Sequence, residues 1–285
     1  MITKMLVSID SSAASLHALE EVSALARSEQ SQLVLLSVVP SYDGDLRLMG
    51  KKDVLVELKD SYIKALVNAE NVAKAYNLNR KSVLQEGDPF SQILNLAENE
   101  NVDLIVVDKK SSTFMDLVPV SAIDTKMISQ SSADILVIPE DAPLNLDRIL
   151  LAYDASEGAK VALKRSIDLS VTYGSELTIV TAFEVPLEGF NYEHNIWDKS
   201  YGDAMKLLDE AKKIAEEHGV RHIKTIKRHG KPSREICELA RTIKAGLIIL
   251  GFNHKNVIKK YLTENVMEQV IRNNSNPVWI AKSGR

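Results

Sequence analysis

The chain repeats itself at a spacing of 143 to 144 residues, and that spacing constrains its folding more than any other feature. Lys4-Met5-Leu6-Val7-Ser8-Ile9-Asp10-Ser11-Ser12 returns as Arg148-Ile149-Leu150-Leu151-Ala152-Tyr153-Asp154-Ala155-Ser156. Gly87-Asp88-Pro89 returns as Gly230-Lys231-Pro232, and the run Asp103 to Asp108 returns as Gly246 to Gly251. The apolar run Ile135 to Ile138 pairs with Val278 to Ala281 in the same way. Solenoid units repeat every ~20 to 50 residues, so a period this long is the size of a whole domain. The chain therefore reads as a duplicated domain, with copies over 1–140 and 147–285. A short linker from Glu140 to Asp147, carrying Pro143, joins them.

With 285 residues and 45% hydrophobic content, two ordinary cores can be built. No apolar run approaches the ~18 to 20 residues needed to span a bilayer. The chain enters a strand pattern at once, without the basic, apolar and cleavage regions of a signal peptide. The single cysteine, Cys237, cannot form an internal disulfide. Together these features predict a cytoplasmic protein without membrane insertion. Apolar flanks on a helical pattern predict that Cys237 is a buried structural thiol. The net charge of −4 divides unevenly: residues 1–142 hold 13 basic and 21 acidic residues, residues 143–285 hold 22 and 18. Neither half has the dense basic stripe of a nucleic-acid binder.

Each copy alternates strand and helix. In the first, residues 4–9 form an apolar run closed by Asp10, as a buried parallel strand requires. Leu16, Leu19, Val22 and Leu25 fall on one face of a helix over 13–29, with Ser11 or Ser12 as its N-cap. The pattern continues with strand 33–39, helix 53–76, strand 81–85, helix 90–100, strand 104–107, a helix around 120–131 and strand 135–138. The second copy predicts strands near 148–153, 177–183, 222–227, 247–250 and 277–281. Such alternation predicts an α/β fold, a doubly wound parallel sheet with helices on both faces. Its ligand crevice lies beyond the carboxyl ends of the strands flanking the reversal of strand order. Asp10 and Asp154 end the first strand of each copy and stand at that place.

The strand openings ending in Ile9-Asp10-Ser11-Ser12 and Tyr153-Asp154-Ala155-Ser156, the two Gly-x-Pro turns and the Asp103–Val107 strand before a long loop carry a family pattern. In both copies they resemble the universal stress protein superfamily. The resemblance implies two tandem five-stranded parallel sheets of order 3-2-1-4-5, packed as an intrachain pseudo-dimer, and leaves a homodimer between chains open. It also implies ATP or AMP binding through a loop of the form Gly-x2-Gly-x9-Gly-(Ser/Thr) after the fourth strand. There glycines let backbone amides approach phosphate oxygens. In the first copy that spacing falls on Asp108, Ser111 and Ser121-Ala122, without a glycine. In the second it falls on Gly251, His254 and Glu264-Asn265, with one glycine of three.

The binding candidates of nucleotide type are Asp154, Gly251, His254, Lys255 and Asp10. The acidic pair matches the family's adenosine-contacting residue or, alternatively, caps the following helix. Lys109, Lys110, Lys259 and Lys260 either replace the glycine amides with side-chain charge or are solvated loop residues. Three aromatics, Phe190, Tyr192 and Trp197, line a pocket or anchor their loop; Trp279 reads as packing. No HExxH, Cys-x2-Cys, Gly-x-Ser-x-Gly or Walker sequence occurs, so neither a metal nor a catalytic residue is expected. The resulting expectation is a non-catalytic stress-response or regulatory module with altered ATP loops, no required cofactor, and protein partners. The alternatives are an AMP or ATP sensor using the second copy, and a slow nucleotide hydrolase.

Overall fold

A computed structural model describes residues 1–41, 52–109, 127–184, 194–252 and 266–282. The chain divides into two compact units, Met1–Ala142 and Pro143–Arg285. The first contains β1 (Lys4–Ser8), α1 (Ala13–Glu29), β2 (Gln32–Pro40), α2 (Lys52–Ala75), β3 (Arg80–Gly87), α3 (Pro89–Asn99), β4 (Leu104–Asp108) and β5 (Asp134–Ile138). Its sheet runs β3-β2-β1-β4-β5, parallel throughout. Parallel central strands are covered on both faces, which demands unbroken apolar runs. Leu6, Leu35, Ile105 and Leu136 are accordingly fully buried. Truncating one to alanine removes about 2–5 kcal/mol. At the edge, β3 opens on exposed Arg80 and Lys81, charged residues that discourage further strand pairing there.

The helices begin where the sequence supplies caps. Ser12 accepts from the Ser15 amide at the head of α1. Asp88 accepts from the Ser91 amide at 2.9 Å, and Pro89 occupies the first turn of α3. Its fixed φ suits that position, where no amide donor is needed. Gly87 precedes this cap at φ +136°, a conformation that favours glycine. Gly87 thus turns the chain from the end of β3 into α3.

The second unit repeats this plan with β6 (Arg148–Ala152), α4 (Glu157–Tyr173), β7 (Glu176–Phe183), α5 (His194–Glu217), β8 (His222–His229), α6 (Pro232–Thr242), β9 (Leu247–Gly251), α7 (Val266–Asn273) and β10 (Val278–Ala281). Its order is β8-β7-β6-β9-β10, again parallel. The predicted 3-2-1-4-5 arrangement is thus the arrangement of each unit. Gly230 shares the φ of Gly87, but Lys231 caps α6 without a side-chain hydrogen bond. Cys237 is buried on α6. Trp279 is fully buried on β10, with the Arg165 guanidinium 5.8 Å from its ring centre. Among the described residues no helix is long and apolar enough to cross a membrane. The predicted helix around 120–131 lies largely outside the described residues, as do Phe190 and Tyr192 of the aromatic segment 186–197, whereas Trp197 falls within α5 and not in a loop.

Candidate functional site

In each unit the strand order reverses beside the first strand, so the crevice opens at the carboxyl ends of β1 and β4, and of β6 and β9. Asp10 follows β1 and is half-buried. One of its carboxylate oxygens accepts the Ser12 amide at 2.8 Å and the Ser12 hydroxyl as well. The Ser12 oxygen in turn accepts the Ser15 amide at 3.2 Å. The Asp10 amide donates to the Ser15 hydroxyl at 3.2 Å. This carboxylate therefore anchors the cap of α1. Tyr62 reaches the same place from α2: burial pushes its phenol pKa upward, and the negative charge of Asp10 adds to the shift.

Asp154 holds the corresponding place after β6 but is exposed. One oxygen accepts the Ser156 amide at 3.0 Å, and Ser156 caps α4 through the Ala159 amide at 3.2 Å. Ala155 between them adopts φ +57°, a left-handed conformation that costs a residue with a Cβ about 1–2 kcal/mol. Tyr153 is buried, with its carbonyl accepting the Thr181 hydroxyl at 2.8 Å. Burial raises its phenol pKa; Lys160 draws it down, while Glu210, Asp154 and Glu157 push it up.

Gly251 ends β9 against the first turn of α4. A Cβ on Gly251 would lie 2.1 Å from the carbonyl carbon of Gly158 and 2.4 Å from the Ala159 nitrogen. A Cβ on Gly158 would lie 2.2 Å from the carbonyl oxygen of Phe252. Two glycines thus let strand and helix meet backbone to backbone. The corresponding residues in the first unit are Asp108 and Ala14. Beyond β9, the Phe252 amide donates to Ala281 at 3.1 Å. Lys282, 4% exposed, sets its ammonium 3.6 Å from the Phe252 ring centre.

Of the sequence candidates, Gly251 ends β9 and Asp154 follows β6, strands paired from Ile149–Leu247 to Leu151–Ile249. Asp10 occupies the equivalent position in the first unit. His254, Lys255, Lys259, Lys260 and Lys110 lie outside the described residues. The Lys109 amide donates to the Ile138 carbonyl at 2.9 Å, holding the end of β4 to β5. Gly158 and the two tyrosines were not among the sequence candidates. The repeat itself carries a signal for Gly158, since its counterpart Ala14 is also small. Among the described residues no group of three or more His, Cys, Asp or Glu side chains could hold a metal ion. The site therefore offers a carboxylate beside a helix N-terminus, flanked by a tyrosine, in both units.

The sequence profile of the universal stress protein family matches residues 1–139 and 145–282. A universal stress protein of Methanocaldococcus jannaschii is 31% identical over 139 residues, which is 47% of this chain and 81% of that protein. Among solved structures, a universal stress protein from Archaeoglobus fulgidus aligns with a TM-score of 0.76 at 20% identity, covering 99% of this chain and 96% of that one. A functionally unknown protein from Pseudomonas aeruginosa aligns with a TM-score of 0.66 at 14% identity, covering 99% and 92%. The two structures share the fold of this chain over nearly its whole length.

Proposed function

Because the chain belongs to the universal stress protein family, with both halves matched, we propose that it is a non-catalytic stress-response module. It acts in the cytoplasm through protein contacts and requires no bound cofactor. The observation that carries this reading is the use already made of the site's residues. Asp10 is engaged in the cap of α1. Gly251 is a glycine because Gly158 leaves no room for a Cβ, which accounts for it without a phosphate. In the first unit the same strand end carries Asp108, whose negative charge opposes phosphate binding.

A second reading has its own support. Asp154 is exposed and uses one oxygen on Ser156, so an AMP or ATP sensor built on the second domain would have a carboxylate to offer a ribose. Basic residues from His254 to Lys260 would then supply the phosphate contacts that the family draws from glycine amides.

Denaturing freshly purified protein and analysing the released small molecules by mass spectrometry separates the two. The module reading expects no stoichiometric nucleotide, and no thermal stabilisation by AMP or ATP. A hundredfold excess of ligand over its Kd would stabilise the fold by about 2.7 kcal/mol. Such a gain, abolished by Asp154→Ala, would replace the first reading with the second.

A further inference from the structure

The second unit ends its sheet on a basic edge. Strand β8 lies outermost in the order β8-β7-β6-β9-β10, and α6 follows it through the Gly230 turn. From His222 to Arg241 these elements hold six Lys and Arg residues against Glu235 and Glu238. The matching stretch of the first unit, Asn79 to Glu98, holds two basic and three acidic residues. Five of the twelve charges that separate the two halves therefore sit on this one edge. Leu84, Gln85, Asp88 and Ser91 of the first copy have become Lys227, Arg228, Lys231 and Arg234. The turn is unaltered, since Gly87 and Gly230 share one φ, so the fold does not require the charge.

Three arginines of this edge surround one carboxylate. Arg234 donates through Nε to Glu238 at 2.8 Å. Its hydrogen bond and charge hold the Glu238 carboxyl below its ordinary pKa, and Arg241 and Arg228 add to the shift. Glu235 adds to the field at Arg234. The Nε of Arg228 is buried and has no acceptor, a charged donor that an incoming carboxylate would satisfy. The strand has unmet bonding of a second kind. The Gly230 amide donates to the Phe183 carbonyl of β7 at 3.0 Å. Strand alternation then turns the amides and carbonyls of Ile223 and Thr225 outward, where no further strand lies among the described residues.

We propose that β8 receives an acidic, extended segment of a partner protein as an added strand, with its carboxylates paired to Arg228 and Lys231. This deepens the protein-contact reading above and rests on it. Donors and acceptors alternate along the edge, and a peptide strand meets both, whereas a phosphate backbone offers acceptors alone. The planar fork of a guanidinium takes a carboxylate through two parallel bonds. The basic charge also repels the same edge of another copy, so the contact selects an acidic strand and not its own kind. Each cross-strand pair of opposite charge adds only a small increment, so affinity depends on several acting together.

Fluorescence anisotropy of the full chain with a labelled peptide of alternating glutamate and valine, as long as the 8 residues of β8, tests this. The peptide should bind at low salt and weaken as salt screens the charges. Arg228→Gln combined with Lys231→Asp, which installs the first copy's own residues, should raise its Kd at least about tenfold. Aspartate is a favoured N-cap, so this variant should fold. The same peptide with N-methylated backbone amides keeps every charge and should lose binding. Hydrogen exchange at Ile223 and Thr225 should slow only with the unmethylated peptide. No binding at millimolar peptide, a Kd indifferent to the paired substitution, or equal binding of the N-methylated peptide would overturn the proposal. Tighter binding of a single-stranded oligonucleotide to the same residues would overturn it too. A protein that releases no nucleotide yet fails these tests keeps the module reading and loses only this one.

Discussion

Replacing Gly251 by alanine should destabilise the second domain whether or not any ligand is present. The added Cβ would lie 2.1 Å from both the carbonyl carbon and oxygen of Gly158. Carbon contacts settle near 3.5–4.0 Å, so the strand end and the first turn of α4 must separate by more than an ångström. Both obstacles are backbone atoms, and no flexible side chain can swing aside. Overpacking of this kind costs about 1–3 kcal/mol, while the lost freedom of the unfolded chain returns roughly 0.4–1 kcal/mol. A net loss of about 1–1.5 kcal/mol should lower the transition of a domain this size by roughly 4–5 °C. Calorimetry of the full-length, ligand-free protein measures it. Gly158→Ala should cause a comparable loss, since its Cβ would lie 2.2 Å from the Phe252 carbonyl oxygen. If Gly251→Ala melts within a degree of wild type and instead loses a nucleotide-dependent stabilisation, the packing account of this glycine is refuted. The residue would then be serving a phosphate.

Asp88→Ala should cost about 1 kcal/mol in urea stability through loss of the α3 cap, because its carboxylate accepts the Ser91 amide at 2.9 Å. Tyr62 should titrate above its usual range; because its folded pKa is raised, stability should fall as pH climbs past about 10, the unfolded value. Asp10→Asn should bring that titration, followed by ultraviolet absorbance, part of the way down but not to normal, since burial is the larger cause; an unchanged titration would place Tyr62 outside the carboxylate's field.

Architecture was the legible part of this sequence. Continuous apolar runs such as Leu104–Val107 announce strands buried on both faces, and Gly-x-Pro marks a turn into a helix in both copies. The duplication doubled each signal. The site was less legible, because its residues act across the sequence. Gly251 was singled out as a survivor of a phosphate loop, yet the residue that explains it, Gly158, lies on a different element. Asp10 and Asp154 have the same sequence position, but Asp10 is half-buried and Asp154 exposed. That difference cannot be read from either motif alone.

The two tyrosines show how far the copies have diverged under a common backbone. Tyr62 comes from the second helix of its unit and stands within the field of Asp10. In the second unit the position corresponding to Tyr62 is Ala204, 3% exposed, and the aromatic comes from the end of the strand as Tyr153, where the first copy has Ile9. A large residue on the helix with an aliphatic one on the strand has become a small residue on the helix with a large one on the strand. The consequence reaches the site, because the strand-end carboxylate adds to the upward shift of a phenol carried by a helix in one unit and by the strand itself in the other. The crevices of the two domains are therefore different surfaces built on one fold, and a ligand or partner suited to one has no physical reason to fit the other.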